Sequence, residues 1–61
     1  MTIIDSKTIR SGKRSVIVAM LLNGDKYEIQ AITNAGIEQL YYTEEATPAD
    51  YRGIRRAFRS L

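Results

Sequence analysis

Residues 15–22 form an unbroken run dominated by apolar side chains. Asn23-Gly24-Asp25-Lys26 follows, and then an alternating run over residues 27–33. An Asn-Gly between two strand-like runs is the strongest short-range signal for a β-hairpin. In a chain of 61 residues everything else has to be arranged around it.

The hairpin restricts its own register. A two-residue Asn23-Gly24 turn sets Met20 opposite Tyr27 and Val18 opposite Ile29. A four-residue loop over residues 23–26 moves the pairing two residues along the partner and keeps the parity. A three-residue loop puts Met20 opposite Glu28. Side chains alternate with a period of two, so an odd slip turns a whole apolar set to the wrong face. Even-parity loops leave one uniform apolar face, with Val16, Val18, Met20 and Leu22 beside Tyr27, Ile29 and Ala31. The other face is mixed, with Ile17, Ala19 and Leu21 beside Glu28, Gln30 and Ile32. The first face calls for a permanent cover.

The cover is supplied at the end of the chain. Thr47 is positioned as an N-cap, Pro48 as the first helical residue and Asp50 as the acid of the first turn. The hydroxyl caps an orphan amide, proline has no N–H to lose, and the acid meets the positive end of the dipole. Tyr51, Ile54, Ala57, Phe58 and Leu61 then recur within an arc of roughly 120°. Arg52, Arg55, Arg56 and Arg59 fall on the opposite side, within roughly 100°. Gly53 weakens such a helix by roughly 1 kcal/mol relative to Ala. Burying Tyr51, Ile54, Phe58 and Leu61 at roughly 1.5–3 kcal/mol each more than offsets it.

Two weaker segments complete the fold. Residues 2–10 read as an edge strand, because charged side chains separate Ile3 and Ile4 from Ile9 and unpaired backbone needs such protection. Ser11-Gly12 turns the chain into the central strand, and Thr33-Asn34-Ala35-Gly36 turns it again, with Gly36 a candidate for a left-handed conformation. Residues 37–43 make a last strand, with Leu40 and Tyr42 expected on one face and Gln39 and Tyr41 on the other. Consecutive short strands joined by tight turns imply an antiparallel meander. The expected fold is a single small α+β domain, with strands near 2–10, 15–22, 27–33 and 37–43 and one helix near 48–60 packed on one sheet face.

Composition narrows the functions. The 44% hydrophobic and 26% charged content is that of a globular chain, not a disordered one. Cysteine and histidine are absent, which removes disulfides, thiol chemistry and nearly every structural zinc site. The lack of cysteine fits a reducing compartment, and no basic stretch precedes an apolar one at the N-terminus, so a cytoplasmic location is expected. The apolar run is far shorter than the roughly twenty residues that span a bilayer.

Several suggestive patterns fail. Ser11-Gly12-Lys13-Arg14-Ser15 lacks the first glycine of a phosphate-binding loop, where Lys7 stands, and the hydroxyl after the lysine, where Arg14 stands. Asp25 with Glu28, or Glu44 with Glu45, supplies too few ligands for a hard cation. No acid pair marks a cleft, and so small a chain has little room for a pocket of several hundred Å3. The sequence therefore predicts no enzyme, no metal and no cofactor.

What remains is charge. The net +2 conceals a segregation. Residues 1–14 hold Lys7, Arg10, Lys13 and Arg14 against Asp5; residues 15–50 hold Lys26 against six acids; residues 51–61 hold four arginines and no acid. Four guanidiniums on one helix face suit phosphates or carboxylates. The leading expectation is a non-enzymatic protein that engages nucleic acid through Arg52, Arg55, Arg56 and Arg59, helped by Arg10, Lys13 and Arg14. Tyr27, Tyr41 and Tyr42 could stack on bases, although half-buried packing is the commoner role of such tyrosines. The alternative is an inhibitor or adaptor of the kind phages and mobile elements encode, meeting an acidic protein surface through the same arginines or through the mixed sheet face. A solvated helix face is also often charged for no further reason. The arginine helix is not expected to lie on a membrane, because its apolar face is needed by the sheet.

The mixed face carries one more expectation. A strand apolar on both sides usually has both sides buried, and one helix covers one side only. Ile17, Leu21 and Ile32 are therefore expected to lie at a symmetric homodimer interface formed by this face or the adjoining edge strand, the alternative being a semi-polar face left to solvent and shielded by long neighbours such as Lys26.

Overall fold

A computed structural model describes all 61 residues. Four strands, β1 (Thr2–Ser11), β2 (Arg14–Asn23), β3 (Lys26–Thr33) and β4 (Gly36–Tyr42), precede one helix, α1 (Pro48–Arg59). Every neighbouring pair is antiparallel, and the order across the sheet is β1-β2-β3-β4, an uninterrupted meander. The α+β architecture expected from the sequence is the one observed.

The even parity of the β2–β3 hairpin is also observed. Leu22 pairs with Tyr27, Met20 with Ile29 and Val18 with Ala31, which is the register of the longer even loop. Asn23 stays in the strand opposite Lys26. The tight turn is thus Gly24-Asp25, one residue later than Asn-Gly. Gly24 has φ 65° and no other residue type in the chain has positive φ, so this is a turn with its glycine in the first central position. An Asn23-Gly24 turn of the alternative type would require positive φ at Asn23 as well; the observed turn needs only the glycine.

The core follows from that register. Val18, Met20 and Ile29 point from the sheet into Ile54 and Phe58 of α1, with Ile4, Ile9, Val16, Tyr27, Tyr51 and Ala57 packed around them. The helix begins as expected. Thr47 caps it, the Asp50 N–H donates to Thr47 Oγ1 at 3.2 Å, and the Thr47 N–H donates to Asp50 Oδ2 at 3.0 Å. The Thr47 hydroxyl also donates to Asp50 Oδ2 at 2.6 Å, and this bond first, then the one from the Thr47 N–H, holds the Asp50 carboxyl below its ordinary range. Leu61 lies beyond the helix and is exposed, so it contributes less to the core than its spacing suggested.

Both edge strands carry an irregularity that no periodicity announced. In β1, Ile3 pairs with Leu21 and Asp5 with Met20, leaving Ile4 as an extra residue. In β4, Tyr41 pairs with Ile29 and Gln39 with Gln30, leaving Leu40 as the extra residue. A bulge reverses the alternation beyond it. Tyr42 therefore shares a face with Gln39, and Tyr41 lies on the helix side, which corrects the pairing of Leu40 with Tyr42 read from strict alternation.

Gly24 fixes the hairpin, and no heavy atom lies within 4 Å of a Cβ built there. The effect of a side chain at this position is therefore backbone strain alone. Gly24→Val is expected to destabilise the protein by about 1–3 kcal/mol. Thermal unfolding checks this, with a fall of roughly 4–8 °C per kcal/mol for a domain of this size; an unchanged midpoint would refute the turn.

Candidate nucleic-acid interface

The four arginines of α1 share one surface, lined by Tyr51, Arg52, Arg55, Arg56 and Arg59. They do not share one role. Arg52, Arg56 and Arg59 are exposed, whereas Arg55 is half-buried at the seam between helix and sheet. Arg55 Nη1 donates to Asp5 Oδ2 at 2.8 Å, the only salt bridge in the protein. Its Nη2 donates to the Tyr51 hydroxyl at 2.8 Å, and the guanidinium stands 5.5 Å from the Tyr51 ring centre. The Tyr51 hydroxyl first, and then Asp5, shift Arg55 further toward its charged form. Tyr51 in turn meets Tyr27 edge to face, with ring centres 5.6 Å apart. The β1 bulge makes this tie possible, because it sets Asp5 opposite Met20 on the helix side.

Tyr27 is thereby accounted for as packing, not as a base platform. Tyr41 and Tyr42 are exposed, on opposite faces.

The second basic cluster is divided. Lys13 and Arg14 flank a shallow groove with Ser15 and Val16 on one side and Thr33, Asn34 and Ala35 on the other. Arg10 pairs with Ser15, in step with Thr8 and Ile17, so it stands on the sheet face away from the helix. The seven basic residues expected to act together thus separate into the α1 surface, the turn groove and an isolated Arg10.

Lys7, which no sequence pattern singles out, closes the end of the helix. Its Nζ donates at 2.7 Å to the backbone oxygens of both Phe58 and Leu61 and lies 4.8 Å from the centre of the Phe58 ring. A cation there satisfies orphan carbonyls and meets the negative end of the dipole.

The sequence also concealed the state of Glu28, which is only 4% exposed although it lies on the sheet face that α1 does not cover. Asn23 Nδ2 donates to Oε2 at 2.7 Å, and Gln39 Nε2 donates to Oε1. One carboxylate thereby links β2, β3 and β4. The Asn23 amide, followed by that of Gln39, holds the Glu28 carboxyl below its ordinary value of 4.5 against the opposing effect of burial. Leu21, opposite Glu28, is 2% exposed. It is enclosed by its own chain and offers no surface to a partner, which corrects its place among the expected interface residues. Ile17 and Ile32 are exposed.

No protein family, characterised protein or solved structure compared with the chain matches it. No helix is long and apolar enough to cross a membrane.

A carboxyl whose pKa is depressed by folding stabilises the protein above its unfolded value, and this is lost as pH falls through the folded one. Glu28 should therefore make stability fall below about pH 4.5. Glu28→Gln removes that contribution while leaving the one from Asp50. Thermal unfolding between neutral and acid pH should show a shallower acid loss in the variant; equal profiles would refute the assignment.

Proposed function

We propose that the protein binds nucleic acid through the exposed face of α1, with Arg52, Arg56 and Arg59 contacting backbone phosphates. The observation that carries this reading is the imbalance of charge on that face. Four guanidiniums line it, and a single acid, Asp5, answers them by engaging Arg55 alone. Arg52, Arg56 and Arg59 have no ion-pair partner in the chain. A guanidinium is weakly hydrated and presents a planar fork of donors, so it suits phosphate oxygens better than a lysine does.

Spacing supports the same reading. Arg52 to Arg59 covers about 10 Å of helix axis, and one strand of duplex DNA carries a charge about every 3.4 Å along its axis. Three arginines over that length match roughly three phosphates of one strand. Arg55 acts as a positioning residue, tying β1 to α1 so that its neighbours face outward. Lys13 and Arg14 offer a second, smaller contact at the turn groove, and Arg10 takes no part. Contacts of this kind read no bases, so the binding is sequence-independent.

A partner protein presenting carboxylates is the competing reading, and salt separates the two. Three phosphate contacts give a slope of log K against log salt near −2.7 on duplex DNA. Arg52→Glu combined with Arg56→Glu and Arg59→Glu should abolish binding to random duplex DNA at low salt while the chain still folds by circular dichroism, with a lowered unfolding midpoint because two acids replace the cations of the last helical turn. Arg55 is a poor probe, because its half-exposed pair with Asp5 itself contributes about 0.2–1 kcal/mol. The parent protein failing to bind DNA or RNA at low salt would overturn the proposal and favour the acidic protein surface.

A further inference from the structure

We propose that the uncovered face of the sheet seats a second copy of this chain, sheet against sheet. This goes beyond the arginine face and does not depend on it. Five of the nine exposed large apolar side chains, Ile3, Ile17, Ile32, Ile37 and Tyr42, project from this one face. They are arranged in rows. Ile17, Ile32 and Ile37 stand in direct cross-strand register on β2, β3 and β4. Ile3, Leu21, Glu28 and Tyr42 form a parallel row four residues along β2. Between the two lies the row of Ser6, Ala19, Gln30 and Gln39, with the buried Ala19 as its floor.

Rows two residues apart are separated by roughly 6.6 Å, so the outer rows stand about 13 Å apart. An identical face turned about a two-fold axis sets its isoleucine row over the short Ser6 and Ala19 side chains of the middle row, and the first copy does the same in return. Such reciprocity is what an isologous interface requires.

Charge favours the same occupant. Arg10 stands at one end of the face, and Lys26 stands at the other, with its Nζ 5.8 Å from the centre of the Tyr42 ring. The one carboxylate between them is Glu28, sealed by Asn23 and Gln39. Two copies of a chain with net charge +2 therefore meet here without like charges opposed at the centre, and the face offers little to a phosphate backbone. Four strands of about eight residues present roughly 500 Å2, so a pair buries on the order of 1,000 Å2, the lower limit for a specific interface. The dimer is accordingly a reversible one.

Sedimentation equilibrium from about 1 to 100 µM spans the affinity that so small an interface supports. The parent mass should rise from 6.9 kDa toward twice that value. Ile32→Lys, with its fold checked by circular dichroism, should remain at the monomer mass throughout. If Ile32→Lys does not fold, Ile37→Lys decides, since Ile37 is 68% exposed on an edge strand; it should weaken the dimer at least tenfold. A parent at 6.9 kDa at every concentration overturns the proposal, as do folded lysine variants that dimerise like the parent.

Discussion

The parity of side chains across the β2–β3 turn is the constraint on which the other contacts rest. With Leu22 opposite Tyr27, Val18, Met20 and Ile29 all fall beneath Ile54 and Phe58. A slip of one residue would send Ile29 to the open face and bring Glu28 under the helix, where no amide waits for it. A carboxylate buried without partners is among the most expensive errors a small core can contain. The enclosure of Glu28 by Asn23 and Gln39 supports the same register from the opposite face, because these bonds form only when β2, β3 and β4 are aligned as observed. An apolar layer on one face and a polar tie on the other thus specify one pairing, which is the consistency expected of a uniquely folded sequence.

The helix is fastened to this sheet at its ends and along its flank. Thr47 and Asp50 close the N-terminus, and Lys7 reaches from β1 to the last carbonyls. Arg55 meets Asp5 beside Tyr51 at the seam. Each tie is individually modest; a cation at a helix C-terminus contributes about 0.3–1 kcal/mol. Together they fix the rotation of α1 about its axis, and that rotation keeps Arg52, Arg56 and Arg59 exposed. Three guanidiniums repel one another on one helix. Arg56 and Arg59 recover part of that cost from the dipole at the C-terminal turn, so the face can be strongly positive without acids beside it.

What could be read from the sequence was whatever depends on neighbours a few residues away. The hairpin parity, the capping residues and the apolar stripe of α1 are of that kind, and all are observed. The bulges at Ile4 and Leu40 are not, because they reflect how edge strands adjust to a twisted sheet and helix; strict alternation therefore misplaced Tyr41. Lys7 was invisible because its partners lie more than fifty residues away in the chain. Glu28 looked like an ordinary outward-facing acid, since nothing in an alternating strand reveals that two amides will enclose it. The special position of Arg55 was partly legible. At 100° per residue it falls roughly 40° from Tyr51, at the margin of the apolar stripe, and a residue at that margin meets the sheet before it meets a ligand.

The two proposed surfaces lie on opposite sides of the molecule, and this limits how they can act together. Pairing two open sheet faces gives four layers: helix, sheet, sheet, helix. At roughly 10 Å between layers the two helix axes stand about 30 Å apart. That distance is close to one turn of duplex DNA, yet the arginine faces point away from each other. A dimer that reads adjacent half-sites presents both recognition elements to the same side of one duplex. This arrangement cannot, so dimerisation gains no avidity on a short duplex, where simultaneous engagement is geometrically forbidden. The same geometry lets one dimer hold two separate strands or duplexes, one against each α1. Charge acts in the same direction, because in the proposed dimer the near-neutral sheet faces at the centre would keep the two basic surfaces apart and leave both open to the proposed phosphate contacts.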